Sequence, residues 1–539
     1  MTYSGNEARG PYRGMARVLG AGLFGAGLAV AAAGAQAQGT LVVGMTAGDL
    51  PLTQGNPDQG FEGYRFVGYN LYDSLILWDL SKADKASDLK AGLASEWGID
   101  PNNSKRWIMK LRPNVKWHDG CPLTADDVVW NMERSTNEKS EQFDPSQFAQ
   151  ARAYLNNYVS VEKVDDLTVA FNTKTPDSLF QYNISYIMMI SPCRAREVKY
   201  NWAAFGEKPS GTGPYRFDRM TPHQRMEFLP NKDYWDKARV PKQDRLVLIP
   251  MPEASTRTAA LLSGQVNWIE APSPDAIPRL KSSGMTIVTN PYPHNWSYQL
   301  NFKNGPFADK RIRQAANYAL NREDMKELLG GMMQEGYATV PPSAAYYGKP
   351  VLYKHNVAKA KELLKEAGCL PCKVTFAIST SGSGQMQPLP MNELVKSNMD
   401  EAGFQVTLKT MDWNALLDVG RGGVMKNPDI HGINISRQTQ DPFNALVRHV
   451  WTGAFSPAGV NWGHYSSPKM DKFVEQIMAE FDPAKRVALL TQMHEFMSDE
   501  AVLIFVAHDI NPRAMSPKVK GFVQAQSWFQ DLTPVTVAP

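Results

Sequence analysis

The residue types that most often carry chemistry are present but not assembled into a reactive set. Nine histidines (His118, His223, His294, His355, His431, His449, His464, His494 and His508) are scattered along the 539-residue chain. A zinc site would bring ligands close in sequence, as H-E-x-x-H does on one helix face, and no such spacing occurs. Ser381-Gly382-Ser383-Gly384 lacks the frame of a G-x-S-x-G nucleophile elbow. Ser210-Gly211-Thr212-Gly213-Pro214-Tyr215 is a glycine turn with no Gly-Lys-Ser/Thr after it, so it is not a phosphate loop. Carboxylates are plentiful, but nothing in their order sets two across one bond. The residues point to no catalytic group, no bound metal and no cofactor.

The four cysteines, Cys121, Cys193, Cys369 and Cys372, are an even set. In an oxidising compartment such a set reads as disulfides, Cys369–Cys372 and Cys121–Cys193. The first pair is also compatible with two free thiols. A redox reading of C-x-x-C needs a thioredoxin-like βαβ context that is missing, and zinc would need a second pair nearby.

The elements that must position any site are legible from periodicity. In Trp107–Arg134, Trp107, Met109 and Leu111 alternate with Ile108, Lys110 and Arg112, the period of a strand. Asp119-Gly120 reads as a turn. Thr124 with Asp127 resembles a capping box, and Val128, Val129 and Met132 form the apolar face of the helix that follows. Thr40–Met45 is a short apolar strand, and strands are predicted at 164–172, 298–302, 374–378, 406–409 and 502–506. Asp309 is placed to cap a helix carrying Ile312, Ala316 and Ala319, and Asp482-Pro483 opens a long one lined by Val487, Leu490, Met493 and Met497.

Composition bounds the class. The chain is 43% hydrophobic and 21% charged, as in a globular protein, and is long enough for about two to four domains. A net charge of only +3, with dispersed basic residues, excludes a nucleic-acid binder. Arg9, Arg13 and Arg17 precede an apolar Ala/Gly-rich run from Val18 to Ala33, and Ala35-Gln36-Ala37 is an A-x-A cleavage site. We expect export, cleavage after Ala37 and a periplasmic product that is not membrane-embedded. The G-x-G-x-x-G string at 20–25 lies inside that leader, follows no strand and is set aside.

Several blocks of text go beyond pattern. "LRPNVKWHDGCPLTADDVV" closely resembles the signature of the family 5 bacterial extracellular solute-binding proteins, the dipeptide-, oligopeptide-, opine- and nickel-binding receptors of ABC importers. So do Ser210–Tyr215 with its "GTGPY", Asn231-Lys232-Asp233-Tyr234-Trp235, and the "PF-D-RIRQA" text from Pro306 to Ala315. The blocks keep their order along the mature chain. The resemblance implies an α/β, two-lobed periplasmic binding protein of type II, in the large peptide-binding class with an extra subdomain. The first lobe would comprise 38–75, 206–298 and 507–539, the subdomain 76–205 and the second lobe 299–506, with hinge strands near Tyr298 and Phe505. It implies a non-enzymatic, monomeric subunit that captures a small polar solute, peptide-like or opine-like, and delivers it to an inner-membrane permease. A secreted hydrolase, or a sensory or chaperone role on the same fold, is the alternative.

Such a receptor needs a cleft with aromatic walls and a few aimed polar groups. Candidates sit on loops at sheet edges: Gln59 and Glu62, His294-Asn295-Trp296, and Ser381, whose loop precedes a helix and could offer N–H groups to an anion. Arg437, Gln438 and Trp451 lie in the segment where family members reach their ligand. Peptide-binding members carry there an Asp, in a "W-x-x-D" setting, that holds the peptide α-amine. Counting back from Pro442 puts Gln438 at the Asp and Ile435 at the Trp, although a slip in this alignment would make Asp441 the acid. A neutral amide cannot balance a buried ammonium, whereas the fork of Arg437 suits a carboxylate or phosphate. The expectation is a solute with an anionic group; the alternative for Arg437 is a surface ion pair with Asp429 or Asp441.

Overall fold

Apolar strands this numerous must share sheets to satisfy their backbones, and the chain builds three large ones. The computed structural model describes residues 39–55, 58 and 62–538. The expected leader and Gln59 lie outside the described residues.

The first sheet has seven strands in the order Thr286–Val288, Arg513–Met515, Trp268–Glu270, Thr40–Met45, Arg245–Pro250, Arg225–Pro230 and Tyr215–Thr221. Thr40–Met45 runs parallel to both neighbours, Arg245–Pro250 and Trp268–Glu270. The second sheet has six, ordered Met333–Glu335, Leu503–Asp509, His294–Leu300, Gly432–Gln438, Cys372–Ser379 and Phe404–Met411. A third, four-stranded antiparallel sheet spans Ala94–Asp100 to Thr168–Thr173. Its strand Asn103–Leu111 leads to the helix Ala125–Thr136, and the capping box of Thr124 and Asp127 is formed. Asp309 and Asp482 cap their helices through side-chain oxygens.

Both connecting strands, His294–Leu300 and Leu503–Asp509, lie wholly in the second sheet. The points near Tyr298 and Phe505 are strand interior, with every residue of both strands buried. The glycines of the GTGPY turn allow a close approach of backbone. Neither has positive φ; a Cβ on Gly211 or Gly213 would collide with the backbone of Leu71.

The cysteines pair as Cys121–Cys193 and Cys369–Cys372. The lobes are closed on one another. Tyr186 Oη donates to Asp441 Oδ2 at 2.8 Å, Asn156 Nδ2 to the Gly453 carbonyl at 3.1 Å, and Trp528 N–H to Gln440 Oε1 at 2.7 Å.

Candidate functional site

Of the cavities where the lobes meet, two are parted by the loop 380–387 and His294, and a third, about 220 Å³, lies between Ala47-Gly48-Asp49, Ser381-Gly382-Ser383 and Asp412-Trp413-Asn414. Gly384 makes the partition thin: its φ is +66°, and a Cβ there would occupy the His294 ring.

The first cavity, about 150 Å³, is built mostly from the second lobe. The helix Trp413–Gly422, capped by Asp412 onto Asn414 N–H at 2.8 Å, presents Trp413, Leu417 and Arg421, spaced at i, i+4 and i+8 on one face. The strand end contributes Ile435, Ser436, Arg437 and Gln438. A π-helical turn, Phe443–Val447, runs into Arg448–Val450 and supplies Asn444, Arg448 and His449. Trp462 closes the floor, with the Arg437 guanidinium 5.5 Å from its ring centroid. Across the gap stand Tyr64 of the first lobe and Arg152 and Tyr154 of the subdomain segment. Tyr154 faces Arg448 across this gap, joining the two walls.

Among the described residues four arginines line this cavity and no carboxylate does. Arg437 is 5% exposed. Its Nη1 lies against the His449 ring, 3.1 Å from Nε2, and its Nη2 donates to Gln299 Oε1. Burial and the neighbouring Arg448 bring its pKa down to about 9. His449 is pushed well below the ordinary histidine range by burial, then by Arg437 and Arg448, so it is neutral. Arg448 donates to Asn444 Oδ1 and stacks on Tyr154, 4.9 Å from the ring centroid. Among the described residues Arg152, Arg437 and Arg448 make no ion pair; Arg421 has Asp418 at 3.6 Å.

The surface-pair alternative for Arg437 fails on these positions. Asp429 is taken by Lys409 at 2.9 Å. Asp441 is buried and accepts from Asn444 N–H at 2.9 Å, Asn444 Nδ2 at 2.7 Å and Tyr186 Oη. Gln438 is equally engaged: its Nε2 donates to Tyr186 Oη and its Oε1 accepts from Gln440 N–H at 3.2 Å.

The second cavity, about 180 Å³, is lined by Arg65, Arg257, Glu270, Tyr292, Asp509 and Trp528, with Ser381 and Gln385 from the loop. Its charges are matched. Arg65 Nη2 meets Glu62 Oε1 at 2.6 Å and Glu270 Oε2 at 2.9 Å. Arg257 donates to four backbone carbonyls, those of Met251, Pro252, Glu270 and Ala271. Burial raises Glu270 to about 7, against the opposing pull of Arg65.

The remaining candidates separate. Glu62 lines neither cavity; it supports Arg65 from behind and accepts from Thr46 Oγ1 at 2.6 Å. His294 stands in the partition, its Nδ1 2.9 Å from Ser436 Oγ. Asn295 is spent on the carbonyls of Ala338 and Thr339, both at 2.9 Å. Trp296 lies in the core of the second lobe, its indole N–H on Gln385 Oε1 at 3.0 Å. Trp451 packs, half-buried, on the apolar cluster beneath the helices Pro468–Ala479 and Pro483–Asp499. The helix after Ser381 starts only at Pro388, and Pro388 and Pro390 have no N–H to offer an anion. Among the described residues one group of possible metal ligands converges, Asp119 with Cys121 and Cys193, and both sulfurs are in the disulfide.

Two sheet-based lobes closed around a lined gap define a two-lobed binding protein. The sequence model of the bacterial extracellular solute-binding proteins, family 5 Middle, matches residues 88–472, and the chain belongs to that family, the solute-binding subunits of ABC importers. It is 28% identical over 445 residues to a glutathione-binding protein of Pectobacterium atrosepticum, covering 81% of this chain and 84% of that one. It is 26% identical over 499 residues to the dipeptide-binding protein of Escherichia coli, covering 87% and 91%. Its fold matches the periplasmic binding protein DppA of Helicobacter pylori in complex with peptide STSA, with TM-score 0.82 and 22% identity over 93% and 98% of the chains. No helix among the described residues is long and apolar enough to cross a membrane.

Proposed function

We propose that this subunit works in the periplasm, freed of its leader after Ala37, as a monomer without catalytic activity. It captures a small polar solute in the arginine-lined cavity and carries it, lobes closed, to an inner-membrane permease. The observation that carries this reading is the cavity itself: both sides of the gap wall it, so a solute touching both favours the closed form. The donor set inside holds no acid–base pair, which supports binding over turnover. The relatives' names cover glutathione and dipeptides, and the matched blocks span most of the chain. Under this assignment the first sheet and the four-stranded sheet act as one body and the second sheet as the other. The hinge lies where the chain passes between them, near 289–293 and 510–512.

The test is to purify the protein from its native periplasm without dialysis, denature it and analyse the released small molecules by mass spectrometry. A single solute near one per protein is expected. Protein that never retains or rebinds any periplasmic small molecule contradicts the reading.

A further inference from the structure

The buried polar atoms left without partners sort by cavity, and the sorting names a class of solute. Around the arginine cavity these atoms are Arg152 Nε, Arg437 Nε, Arg448 Nε, Trp413 Nε1, Trp462 Nε1 and Ser383 Oγ. Five are N–H groups that can only donate, and the sixth is a hydroxyl that can do so. No unpartnered carbonyl, amide or carboxylate oxygen of a side chain faces the same space. A buried donor without an acceptor costs about 1–3 kcal/mol, and more when charged, so a surface of this kind persists where a ligand supplies the acceptors. The four arginines come from different walls. Arg437 and Arg448 stand together beside neutral His449 on the second lobe, while Arg152 comes from the subdomain wall and Arg421 from the rim helix.

We propose that this cavity takes a solute carrying two anionic groups, carboxylate or phosphate, and no free α-ammonium. Arg437 and Arg448 hold one group, and Arg152 with Arg421 holds the other. The flat faces of Trp413 and Trp462 take the uncharged body between them. An α-ammonium meets no carboxylate among the described lining residues: Gln438 is neutral and bonded to Tyr186 and Gln440, and Asp441 lies outside the lining. The second anion bridges the lobes, so the closed form depends on both charges.

This inference rests on the solute-binding reading, and its test is chosen to fail separately. Thermal unfolding of the mature protein is followed with inorganic pyrophosphate, tricarballylate, acetate or the zwitterion Ala-Ala at millimolar concentration, against sodium chloride of matched ionic strength. Pyrophosphate or tricarballylate should raise the melting temperature, and acetate and Ala-Ala should not. Arg437→Gln and Arg448→Gln should each weaken the multivalent-anion response by roughly 30-fold or more in concentration. Arg437→Gln leaves no carboxylate stranded, so it should fold; should it not, Arg448→Gln carries the test. A flat response of the parent protein to every multivalent anion overturns the proposal, as does an equal response to Ala-Ala. A retained solute bearing a free ammonium and a single carboxylate overturns the solute class while leaving the binding role intact.

Discussion

The two cavities sit a loop apart and use the same residue types to opposite ends. In one, Arg65 is paired with Glu62 and Glu270, and Arg257 is held by four backbone carbonyls. In the other, Arg437 and Arg448 face a neutral histidine, Gln299 and Asn444. Matched charge of the first kind is part of the architecture that joins the lobes. Unmatched charge of the second kind destabilises the empty protein and is relieved only by something that arrives. The contrast is what supports assigning the second of these cavities, rather than the first, to the solute in our proposal.

Breaking the matched cluster should have the largest effect. Arg65→Leu leaves Glu62 and Glu270 buried with their shared cation gone, and loss of one partner of a buried pair costs about 3–5 kcal/mol. Urea unfolding should show that loss in the absence of any solute. The same measurement on Arg437→Gln should show a smaller loss, because no buried anion is orphaned and only the contacts to Gln299 and Trp462 go. Equal losses in the two variants would erase the distinction.

A smaller effect sharpens it. His449 is held well below its ordinary 6.5, first by burial and then by Arg437 and Arg448. A histidine depressed in this way contributes fully above its unfolded value. That contribution is lost as pH falls, because the unfolded chain takes up the proton and the folded one does not. Arg437→Gln removes one cause, so the folded value moves back toward 6.5. Between about pH 7 and about pH 5 the variant should lose less stability than the parent, by at most ~1.4 kcal/mol per pH unit for one proton. Parallel losses would mean that burial, the larger cause, keeps His449 neutral over that range without Arg437.

The parts of this account that were legible in the sequence are those set by local rules. The capping box at Thr124, the caps at Asp309 and Asp482, and the strand Thr40–Met45 follow from short-range spacing and stand where spacing put them. Arg437 was flagged because it stands beside Gln438, where the family text carries an Asp. Arg152 and Tyr154 were not, because they reach the cavity from a segment nearly three hundred residues earlier, and only the packing of the subdomain brings them there. Arg448 and His449 stood a few positions from the flagged Trp451. The π-helical turn Phe443–Val447 shifts the helical phase, so the cavity receives Asn444, Arg448 and His449 while Trp451 turns away to the core cluster. Trp296 looked like a cleft aromatic beside His294. The cavity touches only the strand end, and two residues further in, the indole is already beneath the loop, bonded to Gln385.

The central claim is that Arg437 is held unpaired for a solute's anionic group. Calorimetric titration of the solute released from the native protein, into parent and Arg437→Ala, tests it most directly. Removing a desolvated charge contact costs about 2–5 kcal/mol, so affinity should fall roughly 30-fold or more while the empty variant loses less stability than Arg65→Leu. Unaltered affinity together with an unaltered melting curve would place Arg437 outside the site and contradict the account.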